Sequence, residues 1–105
     1  MFGGARKLND ISGLKNFDTS NVKSFKELFY KTSFKDSTPL KDWDTSSVTD
    51  MTSVFSHSKI EKLNGINNWN IDSVLNFSKA FDKTPNRPSW NGSWLTDGTF
   101  VKNSK

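Results

Sequence analysis

The apolar positions of this chain recur with a period of 26 residues. A ring opens each unit at Phe17, Trp43 and Trp69, and a hydrophobic-Phe pair closes each at Leu28-Phe29, Val54-Phe55 and Ala80-Phe81. Inside the first unit stand Val22, Phe25, Leu28 and Phe29; Val48, Met51, Val54 and Phe55 repeat them, as do Val74, Phe77, Ala80 and Phe81. A spacing of i, i+3, i+6 and i+7 is one face of an amphipathic helix, so the pattern predicts a helix of about ten residues per unit. Ser20, Ser46 and Asp72 sit two residues before the first Val of that face, where a side-chain oxygen can cap a first-turn N–H. So short a helix is marginal alone and needs packing on its neighbours.

Before each opening ring the apolar step is three: Leu8, Ile11 and Leu14; Phe34, Ser37 and Leu40; Ile60, Leu63 and Ile66. That step belongs to neither strand nor helix, and it fits a coil whose backbone turns corners between short parallel strands. Strands are expected at residues 14–17, 40–43 and 66–69. The predicted fold is α/β, a leucine-rich-repeat-like solenoid of about three 26-residue strand-helix coils at residues 3–29, 30–55 and 56–81. Met1-Phe2 falls where a unit closes, which predicts the tail of an earlier unit and an open apolar end.

The period breaks after Phe81. The next ring is due at Leu95, and Gly92 stands where Leu14, Leu40 and Ile66 stood. Pro85 and Pro88 stiffen the entry, and Asp97-Gly98 reads as a turn. Residues 82–105 are therefore expected to form a degenerate last coil or cap, with Trp90, Trp94 and Phe100 over the end of the seam and a frayed tail from Lys102.

Composition narrows the picture. The chain has 105 residues, a single domain's length, with only 32% hydrophobic residues but 13% aromatic ones, so the core must be thin and built from rings. Its formal charge of +4 is scattered among carboxylates, which argues against specific nucleic-acid binding. Cysteine is absent, removing disulfides, thiolate metal sites and Cys nucleophiles. No apolar run reaches the roughly 20 residues that span a bilayer.

The strings WDTSSVTDMTSVF, from Trp43, and FDTSNVKSFKELF, from Phe17, resemble the 26-residue surface-protein repeat of lactic-acid bacteria and mycoplasmas, a family of unknown function related to BspA-like leucine-rich repeats. The likeness covers about residues 1–81; Phe17 for Trp, Phe25 and Phe77 for Met, and Asn70-Ile71-Asp72 for Asp-Thr-Ser depart from it. It implies an extracellular, cell-wall-linked protein whose export signal and anchor lie outside this stretch, with a host or cell-surface protein or glycan as partner.

Catalytic motifs are missing. His57, the single histidine, follows a unit-closing Phe in a polar loop with no nucleophile-elbow or zinc-helix motif around it. Asp42 and Asp44 flank Trp43, while their counterparts are Asn16 and Asp18, then Asn68 and Asn70. Stacked coils would line these up as short polar side chains bonded to turn backbone, or, less readily, with Asp18, Asp44 and Asn70 as an oxygen-ligand calcium site. No cofactor or metal is expected. The candidate binding residues are Lys15, Lys41 and Asn67 on the solvent side of the predicted strands, and Arg87, Trp90 and Trp94, whose rings could stack on a sugar or cap the end of the repeat. Two readings follow: a non-enzymatic binding or adhesion module presenting a stacked strand face, or a structural spacer without a ligand. Trp43→Ala is expected to cost about 3–5 kcal/mol as a large buried ring is lost, and Thr52→Ala little; equal small losses in denaturant unfolding would refute the register.

Overall fold

The computed structural model describes residues 12–102. The partial unit at Met1-Phe2, Leu8, Ile11 and the tail beyond Lys102 lie outside the described residues.

Serine, threonine, asparagine and aspartate fill the polar positions of each unit, and these side chains compete with helical hydrogen bonding by binding nearby backbone. Here they win. Oδ1 of Asp18 accepts from the N–H and hydroxyl of Ser20, and Asp44 does the same for Ser46. Asp36 takes both donors of Thr38, and Asp50 both donors of Thr52. Asn70 and Asn76 bend the third unit with the N–H groups of Asp72 and Ser78. The expected caps Ser20 and Ser46 are thus donors in turns built by the aspartate two residues earlier.

The backbone then alternates between two acceptors. Phe25, Glu27, Phe29 and Lys31 donate their N–H groups to the carbonyls of Asp50, Thr52, Val54 and Ser56, one unit along, at 2.8–2.9 Å. Leu28, Tyr30 and Thr32 instead donate three residues back, to Phe25, Glu27 and Phe29. Met51, Ser53, Phe55 and His57 repeat the inter-unit set onto Asn76, Ser78, Ala80 and Asp82. An α-helix sends every N–H to the carbonyl four residues back, so this alternation excludes one. It also needs left-handed backbone at two positions per unit: φ is 57, 53 and 53° at Glu27, Ser53 and Lys79, and 59, 61 and 63° at Lys31, His57 and Lys83. A left-handed residue ends a right-handed helix.

The predicted α/β, leucine-rich-repeat-like arrangement of strand-helix coils is therefore incorrect. Among the described residues the longest helical piece is a five-residue 3-10 turn, Ser12–Asn16, followed by Thr38–Leu40. The expected strands are also turns, with Phe17, Trp43 and Trp69 donating back to Leu14, Leu40 and Ile66. Units meet through single parallel bridges, Ser24 to Asp50 to Asn76 and Asp36 to Lys62. The one regular sheet among the described residues is an antiparallel pair near the C-terminus, β1 (Gly92–Trp94) and β2 (Phe100–Lys102).

The expected apolar face is nonetheless buried, because successive three-residue turns also return a side chain inward at about every third residue. Phe29, Phe55 and Phe81 stack at 5.0 Å between consecutive rings, and Trp43 lies parallel to Trp69 at 6.3 Å. Each indole N–H is spent on the preceding unit: Trp43 donates to the Leu14 carbonyl at 2.7 Å and Trp69 to that of Leu40 at 3.0 Å. Phe17, with no indole, is 48% exposed. Ser37 can occupy an apolar position because its hydroxyl donates to the Lys62 carbonyl and accepts the Gly65 N–H. Among the described residues no buried side-chain polar atom lacks a partner.

The stack is closed by the C-terminal hairpin. Gly98, at φ 80°, brings its backbone against Phe81 and Asp82 so closely that a Cβ would overlap them, and its carbonyl accepts the Phe81 N–H. Thr99 Oγ1 takes the Lys79 N–H. Two inter-unit donors of the third repeat thus find acceptors in a segment that is not a repeat.

Gly65→Ala is expected to destabilise by about 1–3 kcal/mol, since its Cβ would overlap the Ser37 carbonyl, whereas Gly13→Ala, with nothing within 4 Å, should be neutral or slightly stabilising. Urea unfolding of both variants checks this. The pKa values of Asp18, Asp36, Asp44 and Asp97 are lowered, chiefly by the hydroxyls of Ser20, Thr38, Ser46 and Thr99 and then by the backbone N–H groups of the same residues. A carboxylate held below its unfolded value of 3.8 contributes stability above that pH and loses it as pH falls through the lower, folded value. The thermal midpoint should consequently hold level from neutral pH to about 5 and drop below about 4, and replacing all four by Asn should flatten the drop.

Candidate functional site

The polar cleft that follows from this closure lies between the third unit and the cap. It has a volume of about 370 Å³ and is lined by Asn67, Trp69, Asn70, Ile71, Asp72, Ser89, Trp90, Asn91 and Lys102. Its position traces to one substitution within the repeat. Thr19 and Thr45 are buried, and their hydroxyls donate to the carbonyls of Asp44 and Asn70 in the following unit. The third unit has no following repeat, and Ile71 stands in that place, half-buried against the core. Lys102 arrives from β2, and its ammonium donates to the carbonyls of Ile71 and Asp72 at 3.4 and 3.0 Å.

Trp90 forms the floor with Trp69. Its indole N–H donates to the Ile66 carbonyl at 2.9 Å, the bond that Trp43 and Trp69 make to Leu14 and Leu40. Trp90 is thus the fourth ring, five residues ahead of Leu95, where the period placed it. With both indole N–H groups turned inward, the rings offer carbon edges to the cleft and the polar chemistry comes from around them. Asn67 Oδ1 accepts the Ser89 N–H, and Asn70 Oδ1 accepts that of Asp72, leaving both side-chain amide NH2 groups available as donors. The Asp72 side chain is exposed and has no hydrogen-bond or ion-pair partner. Amide donors, a carboxylate and a lysine around an apolar floor can bind a polyol or a peptide backbone. Nothing in the set pairs a nucleophile with a base.

Of the predicted binding residues, Asn67 and Trp90 meet in this cleft. Lys15 and Lys41 line a separate one of about 270 Å³ with Thr38, Pro39 and Asp42. Arg87 and Trp94 belong to the cap: the guanidinium lies 5.7 Å from the Trp94 ring and donates to the Leu95 carbonyl, while the Trp94 indole donates to that of Pro88. The sequence pattern offered Asn70 only as part of the polar ladder with Asp18 and Asp44, and Asp72 only as a helix cap; Ser89, Asn91 and Lys102 carried no binding expectation. The signal for the first two was the departure Asn70-Ile71-Asp72 itself. Among the described residues no group of three or more His, Cys, Asp or Glu could hold a metal, and no helix is long and apolar enough to cross a membrane.

The described residues thus form short units stacked at a 26-residue interval, with a cleft where the C-terminal hairpin meets the third unit. Residues 1–102 match the family described as Mycoplasma protein of unknown function, DUF285, and the chain belongs to that family. Among curated proteins and solved structures, none matches. The family match agrees with the mycoplasma-type repeat named by the resemblance and does not extend to a leucine-rich-repeat kinship.

Proposed function

We propose that the chain is a non-enzymatic binding module of a bacterial surface protein, and that the cleft at Asn67, Asp72 and Trp90 receives a glycan or an extended peptide of a host or cell surface. The observation that carries this reading is a cleft of about 370 Å³ in which the Asp72 carboxylate and the Asn67 and Asn70 side-chain amides stand around the buried rings of Trp69 and Trp90. The cell-wall setting rests on the repeat resemblance. A spacer without a ligand is the second reading, favoured by the internal use of Arg87 and Trp94 in the cap.

Glycan-array and matrix-protein screening of the intact chain should yield a binder. Asp72→Ala should then weaken it about tenfold or more while moving the thermal midpoint little, because the Asp72 backbone keeps its bonds to Asn70 and Lys102. A binder indifferent to Asp72→Ala and Asn67→Ala would move the site elsewhere, and a clean negative screen would leave the spacer.

A further inference from the structure

The same left-handed backbone is demanded in two rows of the stack, and the rows are filled differently. Glu27, Ser53 and Lys79 share no chemistry. Lys31, His57 and Lys83 are all basic, in a conformation that favours Gly and Asn. Left-handed non-glycine residues are strained and gather at functional sites, so a row that is consistently basic at such positions calls for a reason beyond the turn.

Geometry supplies one. Among the described residues, Lys31, Ser33, His57 and Lys59 line a cleft of about 330 Å³, and none of these carries a carboxylate. Tyr30 orients two of them: the Lys31 ammonium stands 5.2 Å from its ring centre, and the His57 ring meets it edge-on at 5.9 Å. The only ion pair among the described residues, Lys35 with Glu61 at 4.0 Å, lies elsewhere and leaves Lys31 and Lys59 unneutralised. Lys83, exposed, continues the row one unit further. Two lysines and a histidine lining one cleft supply N–H donors complementary to a tetrahedral oxyanion.

We infer that this cleft is an oxyanion site, and that with Lys83 it binds a linear polyanion other than a nucleic acid, bearing sulfate or phosphate groups along the stacking direction. The chain's basic residues are scattered among carboxylates and form no dense stripe of the kind that tracks a nucleic-acid backbone, which favours a charged polysaccharide-type chain over a single-stranded nucleic acid. The site is separate from the Asn67 cleft, so different variants report on each.

The probes are dextran sulfate, polyphosphate and polyuridylate, titrated calorimetrically into the intact chain at low salt. Dextran sulfate or polyphosphate should bind, the tighter one telling whether sulfate or phosphate groups are preferred, and binding should weaken steeply as salt rises. Lys31→Gln with Lys59→Gln should reduce affinity about tenfold, while Lys23→Gln with Lys26→Gln, an equal charge change at exposed positions outside the cleft, should change it less than about twofold. Asp72→Ala should leave this binding intact. Equal losses in the two double variants, no binding to either polyanion, or tighter binding of polyuridylate would overturn the assignment; circular dichroism of each variant confirms that it is folded.

Discussion

The structure depends on a fixed offset between donor and acceptor. Alternate N–H groups reach a carbonyl 25 residues later, as from Phe25 to Asp50 and from Met51 to Asn76. Side chains obey the same interval: the Thr19 and Thr45 hydroxyls span 25 residues, and the Trp43 and Trp69 indoles reach back 29. Each unit must therefore hold the same number of residues, whatever fills the surface positions. Inserting one residue inside a unit would shift inter-unit donors onto carbonyls of the wrong parity and break the ring columns with them. That coupling lets a chain with few aliphatic residues hold a core, since stacked Phe and Trp rings need only one inward position per turn.

Much of this was legible because register is written in identity. The period and the buried faces could be read from spacing, and the turn at Asp97-Gly98 from its residue types. The local conformation could not. A spacing of three and four marks a helix face, yet successive three-residue turns place the same residues inward, so Val48, Met51, Val54 and Phe55 are buried either way. What separates the two cases is the chemistry between the apolar positions. Asp-x-Ser and Asp-x-Thr triplets at Asp18, Asp44 and Asp50 give the backbone side-chain partners that a helix does not need. Weighted by propensity, a segment of Ser, Thr, Val and Asp is a poor helix, and that was the signal to prefer turns.

The candidate site was less legible, since it is created by the end of the pattern. Asn67 could be named from its place in a row. Asp72 and Lys102 acquire their relation only when β2 folds back on the third unit, across 30 residues of sequence. Trp90 arrived from an irregular position to take the carbonyl of Ile66, a substitution that no count of 26 could anticipate.

Ends are where a stacked repeat must change its chemistry. Within the stack the inter-unit donors, such as the Thr19 and Thr45 hydroxyls, find acceptors one unit away, so surface variation is free while the bonded positions are fixed. At the last unit those bonded positions lose their partners and must be refitted: Thr becomes Ile71, an indole is supplied by Trp90, and stray carbonyls are met by Lys102. A non-repeating segment cannot match every group of a repeating face, and what it fails to match becomes a cleft with open donors and acceptors. The repeat interior thus supplies rigidity and rows of side chains, while its boundary supplies a concave site. Any ligand that reads shape rather than charge alone would be expected at that boundary.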